Sequence, residues 1–70
     1  MIPVVSSNIE AMGHSDATLT VQFKGGACYK YANVSEEIFQ SILNADSIGS
    51  VFHAKVKSRP DVHPHTKVLV

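Results

Sequence analysis

The chain has 70 residues, 44% of them hydrophobic, with six Lys or Arg against six Asp or Glu, so its formal net charge is zero. That length holds one domain. Zero net charge argues against indiscriminate nucleic-acid binding and leaves only a local basic patch. The single cysteine, Cys28, excludes an internal disulfide. The opening Met1-Ile2-Pro3-Val4-Val5 is too short and uncharged for a signal peptide, no transmembrane run follows, and the expected location is the cytoplasm.

Pro3 to Asn8 is expected to run extended into a serine-rich bend, because Pro3 biases its neighbour toward extended backbone and Ser6-Ser7-Asn8 offer side-chain to backbone bonds. Ile9, Ala11 and Met12 form a weak first strand ending at Gly13, and His14-Ser15-Asp16-Ala17 reads as a turn. From Thr18 to Val34 the pattern sharpens. Leu19, Val21 and Phe23 alternate with Thr18, Thr20, Gln22 and Lys24, the period of a half-buried strand. A second run carrying Tyr29-Lys30-Tyr31 follows Gly25-Gly26, which makes the stretch a β-hairpin.

The register of that hairpin decides where the tyrosines face. A two-residue Gly25-Gly26 loop puts Tyr29 opposite Gln22 on the polar face. A three-residue Lys24-Gly25-Gly26 loop, with Gly26 at positive φ, pairs Phe23 with Ala27 and Val21 with Tyr29. The slip of one residue exchanges the faces. Only the longer loop gathers Leu19, Val21, Phe23, Tyr29 and Tyr31 on one side, so it is the expected one.

Ser35 is a good N-cap, and Glu36 and Glu37 complement the helix dipole behind it. Ile38, Phe39, Ile42 and Leu43 then form one apolar stripe. Asn44 and Asp46 break the pattern, and Asp46 or Ser47 caps a second helix carrying Ile48, Val51, Phe52 and Val56 up to Pro60. Gly49 sits in its first turn, where a close backbone approach explains a glycine. Residues 61–70 are expected to be an irregular tail beyond a domain of residues 1–60, with Thr66–Val70 as a short edge strand. The expected fold is α+β, a three-stranded antiparallel β-meander followed by two short helices packed on one face.

The chain resembles the KTSC domain family, a short module named for its occurrence at the C-terminus of some lysyl-tRNA synthetases and also found as free-standing bacterial proteins. The resemblance covers about Val4 to Lys57. It rests on Ser6-Ser7-Asn8-Ile9, Gly13, Asp16, the Leu19/Val21/Phe23 alternation, Gly26, Tyr29-Lys30-Tyr31, Val34, Phe39, Leu43, Ala45-Asp46-Ser47, Gly49-Ser50 and Phe52. Two positions depart from the family pattern: His14 replaces a usual tyrosine, and the tail lacks the usual aromatic and basic ending. The resemblance implies RNA binding through its association with a synthetase.

Four constellations carry chemistry. Lys55, Lys57 and Arg59 close the second helix with no acid between Ser47 and Pro60, Lys55 and Arg59 lie four apart, and Lys30 joins them if the surfaces are contiguous. A solvated helix C-terminus is the plainer reading. Tyr29 and Tyr31 flanking a lysine are what single-stranded RNA platforms use, but the preferred register makes them core rings. His63-Pro64-His65 with His53 or His14 invites a metal, yet zinc needs three or four convergent ligands and this chain has neither cysteine pairs nor an HExxH helix. The histidines are therefore expected in exposed loops, and no cofactor is implied. Cys28 with a histidine, or Ser6 and Ser7 with His14 and Asp16, can be drawn as a nucleophile and base, but no spacing makes them meet. Tyr29, Tyr31, Ser6, Ser7, Ser47 and Gly49 are expected to be structural. The expected function is non-catalytic: a small RNA-binding module using Lys30, Lys55, Lys57 and Arg59, with a protein-interaction or self-association module as the alternative and an enzyme third.

Overall fold

The computed structural model describes residues 1–68; Leu69 and Val70, the end of the expected Thr66–Val70 strand, lie outside the described residues. The elements are β1 (Ile2–Pro3), β2 (Ile9–Ser15), β3 (Thr18–Phe23), β4 (Cys28–Tyr31), α1 (Glu36–Leu43), α2 (Ile48–Phe52) continued by a π-helical turn over His53–Lys57, and β5 (His65–Val68). The strands form one antiparallel sheet in the order β1-β2-β3-β4-β5. The α+β class agrees with the pattern, but the sheet has five strands and not three. Of the two further strands, both at the edges, β5 overlaps the expected Thr66–Val70 edge strand, whereas β1 over Ile2–Pro3 falls in the stretch expected only to run extended.

The β3–β4 hairpin takes the longer loop. Leu19 pairs with Tyr31 and Val21 with Tyr29. Phe23 N–H donates to Ala27 at 2.8 Å, and Gly26 has φ 99°, a conformation that glycine adopts without a Cβ penalty. The preceding hairpin is tighter than expected. Strand β2 runs to Ser15, which pairs with Thr18, leaving only Asp16 and Ala17 in the turn. Both have positive φ, 50° and 60°, as a two-residue turn matched to strand twist requires.

A bulge between Ile9 and Ala11 interrupts the β2–β3 ladder. In a regular strand Ile9 and Met12 would face opposite ways; after the extra residue both are fully buried. They join Leu19, Val21 and Tyr31 from the sheet against Phe39, Ile42, Phe52 and Val56 from the helices. Ser35 caps α1, its Oγ accepting from Ile38 N–H at 3.2 Å. In the second helix Phe52 and Val56 point inward, and the turn widens so that Ser58 N–H donates five residues back to His53 at 2.9 Å. The helix ends at Lys57 with Ser58 as its C-cap, so Arg59 lies beyond it and does not share a helical face with Lys55.

The described residues after Pro60 turn back and end in a strand instead of forming a loose tail. Ala32 N–H donates to Pro64 at 3.0 Å and Asn33 Nδ2 to Val62 at 3.1 Å. His63, expected in an exposed loop, is only 4% exposed, and its Nδ1 lies 3.0 Å from the Ala32 carbonyl. These bonds carry the chain back along β4, where β5 pairs Tyr31 with His65 and Tyr29 with Lys67.

Candidate nucleic-acid interface

Successive residues of a strand face opposite sides, so the register sorts the candidate side chains. Tyr29, Tyr31, His65 and Lys67 stand on the helix side of the sheet, whereas Cys28, Lys30, Thr66 and Val68 stand on the open side. The helices cover Tyr31, which is 3% exposed and packs edge-on to Phe52 with centroids 5.2 Å apart. They stop short of Tyr29, which is half-buried. Between the end of the π-helical turn and β5 a groove of about 490 Å³ remains, lined by Phe23, Tyr29, Tyr31, His65, Lys57 and Pro60.

The rings in this groove touch one another. Phe23 and Tyr29 are 5.9 Å apart at 79°, and Tyr29 and His65 are 5.6 Å apart at 61°, both edge-to-face. Lys57 Nζ stands 5.9 Å over the Phe23 ring, within cation–π range. Lys67 is exposed on the same face, opposite Tyr29. Burial, and then the neighbouring Tyr29 phenol, pushes the Tyr31 phenol above its ordinary value. It stays a neutral hydroxyl donor across the physiological range.

The basic quartet separates. Lys57 enters the groove, and Arg59 is exposed next to Pro60 at its rim. Lys55 is exposed and its Nζ donates to Ser41 Oγ at 3.1 Å, which ties it to α1. Lys30 is on the opposite face, pairing with Thr20 and Thr66 and lining a shallow hollow with Asp16 and His14. The reading from sequence missed Phe23 and His65 as groove residues and Lys67 as their neighbour on the same face. The only local signal for the last two is the alternation His65-Thr66-Lys67, and it has no meaning until β5 is paired.

Ser6, Ser7, Ser47 and Gly49 meet at a second and larger concavity of about 650 Å³, apart from Tyr29 and Tyr31. There the Ser6-Ser7-Asn8 bend faces Ser47, Gly49 and Ser50 at the start of α2. A Cβ on Gly49 would stand 3.2 Å from Asn8 Oδ1 and 3.3 Å from Ser6 Oγ, tighter than ordinary contact, so the bend closes on the helix where a side chain is missing. Ser47 does not cap with its hydroxyl; its Oγ donates to Ser50 Oγ at 2.9 Å.

The catalytic pairings do not assemble. Ser6 and Ser7 line this cleft, while His14 and Asp16 line the hollow beside Lys30. Cys28 sits between Gln22 and Val68 on the open face, away from His65. The four histidines are dispersed: His14 against α1, His53 in the cleft, His63 behind β4 and His65 in the groove. No cluster of three or more His, Cys, Asp or Glu side chains able to hold a metal occurs among the described residues. Nor, among them, is any helix long and apolar enough to cross a membrane.

The architecture is that of a small α+β domain whose one helix-covered sheet face leaves an aromatic groove open at its edge. The KTSC domain pattern matches residues 5–59, and the chain belongs to that family. It is similar to a protein of Tsukamurella paurometabola, 44% identical over 61 residues that cover 84% of this chain and 91% of the relative. An uncharacterized protein of Stutzerimonas stutzeri is 34% identical over 58 residues, covering 80% of this chain and 82% of that protein.

Proposed function

We propose that the protein is a non-catalytic module that binds single-stranded RNA in the groove between the π-helical turn and β5. The observation that supports this reading is the placement of the Lys57 ammonium over Phe23 while Tyr29 and His65 pack beside it. Exposed aromatic faces take bases of any sequence, and nearby cations take the phosphates. The interface differs from a purely basic patch: Lys57, Arg59 and Lys67 flank the rings, and Lys30 is not part of it. Self-association by strand addition is the weaker reading, because the β1 edge is two residues long with Pro3 lacking an N–H to donate, and the β5 edge carries the charged Lys67.

Binding is expected to be weak, nearly blind to sequence and lost between low and physiological salt. With about three phosphates neutralised, log K should fall on log salt with a slope of about −2. Fluorescence anisotropy with a labelled single-stranded RNA heptamer measures this. Lys57→Gln and Tyr29→Ala should each weaken binding, and Lys30→Gln on the opposite face should leave it unchanged. Loss on Lys30→Gln with no effect of Lys57→Gln moves the interface to the open face. No binding at low salt removes the RNA reading and brings self-association forward.

A further inference from the structure

The hydroxyl-lined cleft and the aromatic groove lie at the two ends of one helical turn. His53 opens the π-helical turn and lines the cleft; Lys57 ends the same turn and lines the groove. On the other side Phe23 lines the groove, and the next residue, Lys24, donates its N–H to the carbonyl of Asn8 in the cleft at 3.0 Å. Two separate links therefore join the concavities, and the exposed Lys24 stands at the junction. A strand seated on the rings can continue into the cleft.

What the cleft can hold follows from its polar groups. No lysine or arginine lines it; His53 is its one basic side chain, and it shares the lining with the Asp46 carboxylate. Asp46 has no ion-pair partner among the described residues. An ionised carboxylate accepts hydrogen bonds and repels anions, so the ligand group beside it must be a hydrogen-bond donor that carries no negative charge. The Ser7 and Ser50 hydroxyls can each donate and accept, as can the Asn8 amide. A sugar hydroxyl meets all of these requirements and a phosphate oxygen does not.

We infer that the Ser7, Asn8, Asp46 and Ser50 cleft receives a ribose 2′-hydroxyl from the strand held in the aromatic groove, so that the protein distinguishes RNA from DNA. This rests on the proposed RNA reading and assigns the second concavity to it. Stacking on the groove's rings and pairing of its cations with phosphates do not make the distinction, since bases and phosphates are common to both nucleic acids. The 2′-hydroxyl, donor and acceptor at once, is the group that separates them. Gly49 holds the cleft in shape, because a methyl group there presses on Ser6 and Asn8, which form its opposite wall.

The test compares a single-stranded RNA heptamer with the deoxy heptamer of the same bases, at low salt, by fluorescence anisotropy. The parent should bind RNA about 3- to 10-fold more tightly than DNA, the effect of one additional hydrogen bond. Asp46→Asn and the Ser7→Ala/Ser50→Ala pair should bring the two affinities together, with circular dichroism and thermal melting verifying that each variant is folded. Lys57→Gln should weaken RNA and DNA by the same factor and leave their ratio unchanged. Equal affinity of the parent for both strands overturns the cleft assignment and leaves the groove reading standing. A ratio that survives both cleft variants overturns it as well. Failure of the parent to bind either strand removes both readings.

Discussion

His14 Nδ1 lies 2.9 Å from a carboxylate oxygen of Glu36, so the end of β2 is tied to the first turn of α1. The same ring bonds the Val34 carbonyl through Nε2 at 2.6 Å and stacks on Phe39 at 5.1 Å. The imidazole thus joins the sheet to the one helix whose cap is fully formed. The His14 side chain is 8% exposed and that of Glu36 66%, so the two partners carry unequal weight. His14→Ala should cost about 1–3 kcal/mol, because it also leaves the Val34 carbonyl without its side-chain partner. Glu36→Gln should cost less than about 1 kcal/mol. A double-mutant cycle by urea denaturation is expected to give a coupling below about 1 kcal/mol; a larger value would mean that the carboxylate is desolvated in the folded state.

Phe52 is 2% exposed, its ring 6.2 Å from Phe23 and 5.2 Å from Tyr31. Phe52→Ala should destabilise the domain by about 3–5 kcal/mol. In a chain this short that is enough to unfold much of the population, visible as a lost or greatly lowered thermal transition. A near-native melting temperature would show that the sheet and helices close over the vacated volume.

His63 is expected to matter more than an exposed loop residue does. Its burial and its bond to the Ala32 carbonyl pin the segment that leads into β5. His63→Ala should cost about 1–3 kcal/mol. The exposed His65 should cost less than about 1 kcal/mol on the same change. Amide hydrogen exchange offers a local readout: the His63 variant should lose protection along β4 and β5 before β2 and β3.

Ala17 stands at φ 60° in the β2–β3 turn, where its Cβ crowds the backbone. Ala17→Gly removes that strain and gives the Asp-Gly pair this turn type favours. The gain is offset by the wider freedom of glycine in the unfolded chain. A net stabilisation of up to about 1 kcal/mol is expected from chemical denaturation. The hydrogen bond from Val34 N–H to the Ala17 carbonyl, at 2.8 Å, involves only backbone and should survive.

Tyr31 makes stability depend on alkaline pH. Its phenol binds its proton more tightly in the folded protein, chiefly through burial. Its contribution is complete below the unfolded-chain value of about 10 and is lost as pH rises through the raised folded value. Tyr31→Phe keeps the ring in the core and removes the titration. Denaturation midpoints between about pH 8 and 11 should therefore fall more steeply in the parent than in the variant. Identical slopes would assign the alkaline loss to other groups.

Local chemistry determined much of this protein from sequence alone. The alternation Leu19, Val21, Phe23 and a glycine able to take positive φ specify the central hairpin and its register, because both act within a few residues. Ser35 with Glu36 and Glu37 behind it marks the start of α1 for the same reason. Tertiary packing decided the rest. The bulge after Ile9 exists because two hydrophobic residues three apart must both reach the core. A strand near Thr66 is legible in the sequence, but its place beside β4 is set by His63 and the Pro64 carbonyl finding partners in Ala32 across the fold. The division of the four basic residues between two faces follows from the sheet register and the end of the helix. The groove exists because the helices cover Tyr31 and stop before Tyr29. The meeting of Ser6-Ser7-Asn8 with Gly49 and Ser50 joins segments some forty residues apart, brought together only when the helices close on the sheet.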